Sequence, residues 1–151
     1  MSLNIIRFHE INIKSFLKQR RGLKKFLLTI FKKESALIKS VDIIFCTDEY
    51  LLSINKEFLN HDYYTDTLSF ILSNSGNPIV GEIYISIDRI IANAKSLNFS
   101  YQNELYRVII HSCLHLCGYL DNPKYAAVKM EILQEKYLKM YIVSRETQIG
   151  G

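Results

Sequence analysis

Two histidines four residues apart, a glycine three further on and an aspartate three beyond that stand in the run HSCLHLCGYLD at residues 111–121. On a helix advancing about 100° per residue, His111 and His115 fall roughly 40° apart on one face and one turn apart in height, where two imidazoles can share a cation. Gly118 can take the left-handed conformation that ends a helix, which turns the chain back and carries Asp121 over the same point as a third ligand. Two nitrogens and one oxygen leave one coordination position open. Structural zinc sites are closed by four protein ligands, so this set has the pattern of a catalytic zinc, one ion per chain. Such an ion lowers the pKa of water toward neutrality and prepares it for attack on phosphorus or carbon, so hydrolysis is the reaction class that follows.

The cysteines of the same run are rivals as ligands. Cys113 and Cys117 each follow a histidine by two residues, about 200° round the helix, and are expected to face the core instead. Cys46 lies in an apolar run. Three cysteines without a secretory start read as reduced, buried thiols of a cytoplasmic protein. The plainer alternative is a helix end whose histidines are surface or capping groups; Gly118 and Asp121 argue against it. Asp-Asn-Pro at 121–123 is also how a helix begins, with Asn122 as N-cap and Pro123 in the first turn, and an Asn122 cap leaves Asp121 to ligate.

Periodicity supplies the elements that must hold these residues. Residues 3–8 (LNIIRF), 37–46, 66–72 and 82–87 read as strands, and 12–33, 48–59, 88–97, 101–117 and 123–143 as helices. SNSGNP at 73–78 is a polar turn that allows a hairpin between two strands. Strands gathered early and helices late give an α+β fold: a small mixed four-stranded sheet packed with about five helices, the histidine helix central. Residues 1–143 form one expected domain and 144–151 a disordered tail.

At 151 residues the chain buries a core without disulfides or a structural metal, so a bound metal is there for chemistry. No run approaches the roughly 20 apolar residues of a membrane span, and MSLNIIRFHEI lacks the basic start and long apolar stretch of a signal peptide, which places the protein in the cytoplasm. Residues 1–33 carry nine Lys/Arg against one acid, while the rest carries ten against fourteen, so the whole excess of the +4 net charge is N-terminal. Such asymmetry points to a polyanionic partner. Lys14, Lys18, Arg21 and Lys25 recur at helical spacing beside an apolar stripe of Phe16, Leu23, Leu27 and Ile30, a basic ridge able to meet RNA; the alternative is an ordinary solvated helix face.

The spacing His-x-x-x-His-x-x-Gly-x-x-Asp resembles that of metzincin peptidases, whose first histidine is followed by a glutamate base. Here that residue is Ser112, which cannot shuttle the proton at neutral pH. A second resemblance covers far more of the chain. HSCLHLCGYLD, preceded by ELYRVIIH, resembles the signature of the YbeY family of bacterial endoribonucleases and ribosomal RNA maturation factors, in which a related HGxLHLxGYDH segment supplies the metal ligands. INKEFLNHDYYTDTLSF at 54–70 is similar to the family's LN-x-x-YR and TDVLSF, and GEIYISIDRIIANA at 81–94 to its GDIxIS block. The resemblance implies a zinc-dependent, single-strand-specific endoribonuclease acting on ribosomal RNA of the small subunit, in its maturation and in ribosome quality control.

Three positions depart from the family pattern. Asp121 stands where most members have a third histidine, Ser112 where they have glycine, and Leu59 where an arginine is expected to hold phosphate. Arg107, one turn before His111, and His61, just after Leu59, are the catalytic candidates that remain, each with an exposed or ion-paired side chain as the alternative. Glu104, a further turn back, is a candidate partner to the ligands, and Thr65 and Asp66 open a strand. A non-catalytic RNA-binding assembly factor with a structural metal and a zinc peptidase stay open as other functions.

Overall fold

Two long apolar runs take the centre of the sheet, where both faces are covered. In the computed structural model, which describes residues 2–60 and 65–150, the last four as backbone only, these are β2 (Ile38–Cys46) and β4 (Ile79–Ser86). β1 (Ile6–Glu10) and β3 (Thr67–Ile71) flank them in the order β1-β2-β4-β3. β1 pairs parallel to β2 and β2 parallel to β4, whereas β3 runs antiparallel to β4 across the polar turn at 73–78. The sheet is mixed because only that turn is short; parallel neighbours need a helical crossover.

Those crossovers are α1 (Arg20–Lys33), between β1 and β2, and α2 (Asp48–Leu59), which precedes β3. α3 (Ile87–Leu97), α4 (Tyr101–Leu116) and α5 (Lys124–Gly150) follow. Side-chain oxygens of Thr47, Ser86 and Ser100 cap α2, α3 and α4 by accepting otherwise unpaired N–H groups of the first turn. α4 is apolar on nearly every side and is buried as such a helix must be, with Leu105, Tyr106, Ile109, Ile110, Cys113 and Leu114 all in the core. It approaches β4 so closely that a Cβ on Gly81 would lie 2.6 Å from Leu116 Cδ1. α5 covers its other side through Met130, Tyr137, Leu138 and Tyr141, the last edge-on to Tyr106 at 5.0 Å.

Several boundaries differ from the sequence expectation. The strand expected at 3–8 begins with a 3-10 turn at Leu3–Ile5 and continues as β1 to Glu10. The helix expected over 12–33 starts only at Arg20, so Lys14 and Lys18 lie outside it and the four basic residues do not form one helical ridge. Asn12 and Gln19 take left-handed backbone conformations. The Glu10 carboxylate accepts the Ser15 N–H and the Gln102 amide donates to the Phe16 carbonyl, so side chains satisfy backbone groups that a helix would have paired internally. β4 starts at Ile79, earlier than the expected 82, because Ile79 pairs with Ile38 directly after Pro78. α5 runs to Gly150 where an end at 143 and a disordered tail were expected, since SRETQI holds no residue that breaks a helix. Its start also differs: the Pro123 carbonyl accepts from the Ala126 and Ala127 N–H groups, so Pro123 and not Asn122 stands at the cap position.

Candidate metal centre

α4 ends as its sequence demands. Gly118 adopts φ +101°, the Gly118 N–H meets the His115 carbonyl at 3.0 Å, and the Tyr119 N–H reaches back to the Leu114 carbonyl at 3.1 Å. That pair of bonds is the left-handed helix stop in which glycine pays no Cβ penalty. The chain then doubles back, and Asp121 arrives beside the two histidines.

The cluster converges. His115 Nε2 lies 3.1 Å from His111 Nε2 and 3.1 Å from Asp121 Oδ2, and His111 Nε2 lies 3.9 Å from Asp121 Oδ1. One ligand atom from each residue falls within 4.8 Å of the others. Each imidazole is turned by an acceptor on its far side: His111 Nδ1 meets Gln134 Oε1 at 2.6 Å, and His115 Nδ1 meets the Tyr119 carbonyl at 3.0 Å. A carbonyl oxygen can only accept, so each ring donates its Nδ1–H, and a neutral ring then turns its Nε2 lone pair to the cluster. Three lone-pair donors this close repel unless a cation lies among them, and a tetrahedral ion with ligands at about 2.0–2.1 Å sets its donors about 3.3 Å apart. The donor set fits a divalent cation, and the side chains of His111, His115 and Asp121 are 29, 22 and 61 % exposed, open to substrate.

Gln134 and Tyr119 carry no signal in the sequence, because neither partner's role is visible until α5 packs on α4 and the loop folds back. Tyr119 is itself braced. Its hydroxyl donates to Glu34 at the end of α1 at 2.6 Å, and Tyr137 donates to the other oxygen of the same carboxylate at 2.5 Å. The bond to Glu34, with burial adding to it, pushes the Tyr119 phenol up to about 12.

The other predicted residues fall as follows. Arg107 lines a small polar cavity with His111, Gln134, Asn93 and Asp66, but its guanidinium is turned to two carboxylates: Glu104 at 2.6 Å and Glu135 at 3.3 Å. Glu104 is almost fully buried, and that burial raises its pKa although Arg107 pulls it down. Thr65 and Asp66 line a groove of about 390 Å³ together with Thr67, Ser69, His111, His115 and Asp121. Leu59, at the exposed end of α2, is not among the groove's lining residues. His61 lies outside the described residues. Lys14, Lys18, Arg21 and Lys25 are all exposed. Cys113 is buried in the core and Cys117 packs against it; burial pushes the Cys113 thiol well above its ordinary value and the Cys117 thiol to about 12. Neither joins the cluster.

Fold and site together define a mixed α+β domain whose central helix and following turn bring three ligands suited to a divalent cation to the edge of the sheet. The chain belongs to the Endoribonuclease YbeY family, whose sequence profile matches residues 5–142. An Endoribonuclease YbeY from Cytophaga hutchinsonii is 48% identical over 105 residues, which cover 70% of this chain and 73% of that protein. One from Porphyromonas gingivalis is 39% identical over 122 residues, covering 81% and 80%. A Thermotoga maritima protein solved in solution shares the fold with a TM-score of 0.66 and 28% identity over 95% of this chain and 93% of its own. Among the described residues, no helix is long and apolar enough to cross a membrane.

Proposed function

We propose that this member of an endoribonuclease family is zinc-dependent and cuts single-stranded RNA, with His111, His115 and Asp121 as the ligands of one zinc ion. Its substrate is ribosomal RNA of the small subunit, processed in the cytoplasm during maturation and ribosome quality control. The observation that carries the reading is the convergence of three ligand atoms within 4.8 Å, with both imidazoles held by outside acceptors in the tautomer that a metal requires.

A zinc ion bound there supplies Lewis-acid chemistry, lowering the pKa of water and offsetting negative charge on the phosphate. The chain's own residues do the rest. Gln134 and the Tyr119 carbonyl hold the proton of each neutral imidazole on Nδ1 and aim both Nε2 atoms at one point. Arg107 offers positive charge beside His111: its bond to Glu135, 3.3 Å long and half exposed, is the one a substrate phosphate can displace, while Glu104 keeps the guanidinium in place. Lys14, Lys18, Arg21 and Lys25 attract the RNA backbone with little preference for sequence. His61 remains the candidate for proton transfer.

The test pairs metal content with cleavage of a single-stranded ribosomal RNA fragment, for wild type and His115→Ala. The expected result is about one zinc per wild-type chain, and loss of both zinc and cleavage in a variant that stays folded. A metal-free His115→Ala protein that cuts at the wild-type rate refutes the reading. RNA binding without cleavage, indifferent to chelator, would instead make the protein a non-catalytic assembly factor.

A further inference from the structure

The groove that holds the ligand cluster has a second wall, the outer edge of β3. We infer that this edge is the rail on which the substrate strand lies, its outward N–H groups donating to successive phosphates and its outward carbonyls accepting from ribose 2′-hydroxyls. The inference rests on the endoribonuclease reading of the same site.

β3 is the last strand of the sheet and, among the described residues, pairs with β4 alone. The phase of that pairing is fixed at both ends: the Ser86 N–H donates to the Asp66 carbonyl at 2.9 Å, and the Leu72 N–H to the Val80 carbonyl at 2.8 Å. Even-numbered residues therefore bond inward, and Thr67, Ser69 and Ile71 turn N–H and C=O away from β4. A contact of 3.4 Å from Thr65 Oγ1 reaches the Thr67 carbonyl. These same three residues line the groove with His111, His115 and Asp121. The rail is stiff, since Thr67 Oγ1 and Ser112 Oγ lie 2.9 Å apart and tie the strand to α4 one residue from the first ligand.

Donors on one edge of a strand recur every second residue, about 6.7 Å apart, close to the repeat of phosphates in an extended single strand. A base-paired strand carries its phosphates along a helical path and leaves a straight edge after about two of them. Phosphate oxygens can answer the N–H groups but not the carbonyls between them, which need a donor. The 2′-hydroxyl is that donor, and DNA leaves these acceptors unpaired. An extended peptide also pairs with a free strand edge and is the competing occupant.

Ser69→Pro deletes one outward N–H without touching the ladder, a place where a sheet tolerates proline. Fluorescence anisotropy would follow a labelled single-stranded RNA 12-mer, the same DNA sequence and its 2′-O-methyl RNA on the full chain in chelator, so that nothing is cut. Zinc affinity would be measured separately by competition with a chromophoric chelator. One lost hydrogen bond predicts about fivefold weaker RNA binding for Ser69→Pro at unchanged zinc affinity, and wild type binding RNA at least about fivefold tighter than the DNA or the 2′-O-methyl strand. Ser69→Ala keeps the N–H, so an equal loss there overturns the assignment to the backbone. Wild-type RNA affinity in Ser69→Pro, or a loss seen for an extended peptide but not for RNA, also overturns it. If Ser69→Pro does not fold, Ile71→Pro carries the same expectation, and equal affinity of wild type for the three strands refutes the rail without any variant. A wild type that binds zinc and cuts RNA while failing these tests loses the rail alone; one that does neither loses the underlying reading.

Discussion

Replacing Gln134 with leucine removes the acceptor that meets His111 Nδ1 at 2.6 Å while keeping most of the side chain's volume. Gln134 is 6 % exposed on α5, so its amide is held by packing, and the bond orients the ring from a different helix. In the variant, Nδ1–H loses its partner and the ring is free to carry its proton on Nε2, the atom that must be bare to bind metal. A neutral hydrogen bond contributes about 0.5–1.5 kcal/mol, and a buried donor left unpaired costs about 1–3 kcal/mol. The His111 side chain is 29 % exposed, so water can meet part of that loss and the cost falls near the low end. About 1.4 kcal/mol, a tenfold weaker zinc affinity, is the expected outcome. Competition against a chromophoric chelator at fixed pH reads it directly, with a thermal melt of the metal-free protein as the check on fold. Gln134→Glu restores an acceptor and should recover the affinity. Zinc binding by Gln134→Leu within twofold of wild type, with an unchanged melt, would show that the α5 contact does not position the ligand.

Other outcomes follow from the same geometry. The Tyr119 phenol, raised from 10.0 to about 12 by its bond to Glu34, holds its proton more tightly folded than unfolded, so stability should fall as pH rises from about 10 to about 12. Tyr119→Phe should flatten that slope in chemical denaturation, although Tyr137 on the same carboxylate keeps part of it. Gly118→Ala places a Cβ at φ +101° and should cost about 1–2 kcal/mol in the same assay, with a parallel loss of zinc affinity because the turn carries Asp121. Arg107→Met should raise KM for single-stranded RNA severalfold while leaving the zinc stoichiometry at one; unchanged KM would remove Arg107 from substrate binding.

The convergence of His111, His115 and Asp121 was legible because its geometry is local. His111 and His115 share a face by helical periodicity alone, and Gly118 stops the helix wherever the helix is placed. Asp121, three residues on, has nowhere far to go. Helices and strands with strong apolar periodicity were legible for the same reason, and so was the inward course of Cys113. Of the helix expected over 12–33, residues 12–19 are not helical: basic and apolar residues recur there at helical spacing, while the backbone groups find partners on Glu10 and on Gln102, far along the chain. Periodicity carries no information about such partners.

What the sequence determined by itself is therefore the donor set and the face it occupies, both properties of a few consecutive turns. Tertiary structure decided what makes that set a site. Gln134, 23 residues from His111, supplies one orienting acceptor, and Glu34, 85 residues from Tyr119, braces the turn that supplies the other. The order β1-β2-β4-β3 decides that the cluster opens beside the outer strand of the sheet instead of its interior. Strand order and helix docking depend on which apolar faces bury one another across the whole chain, a global minimisation of exposed surface that no local spacing encodes.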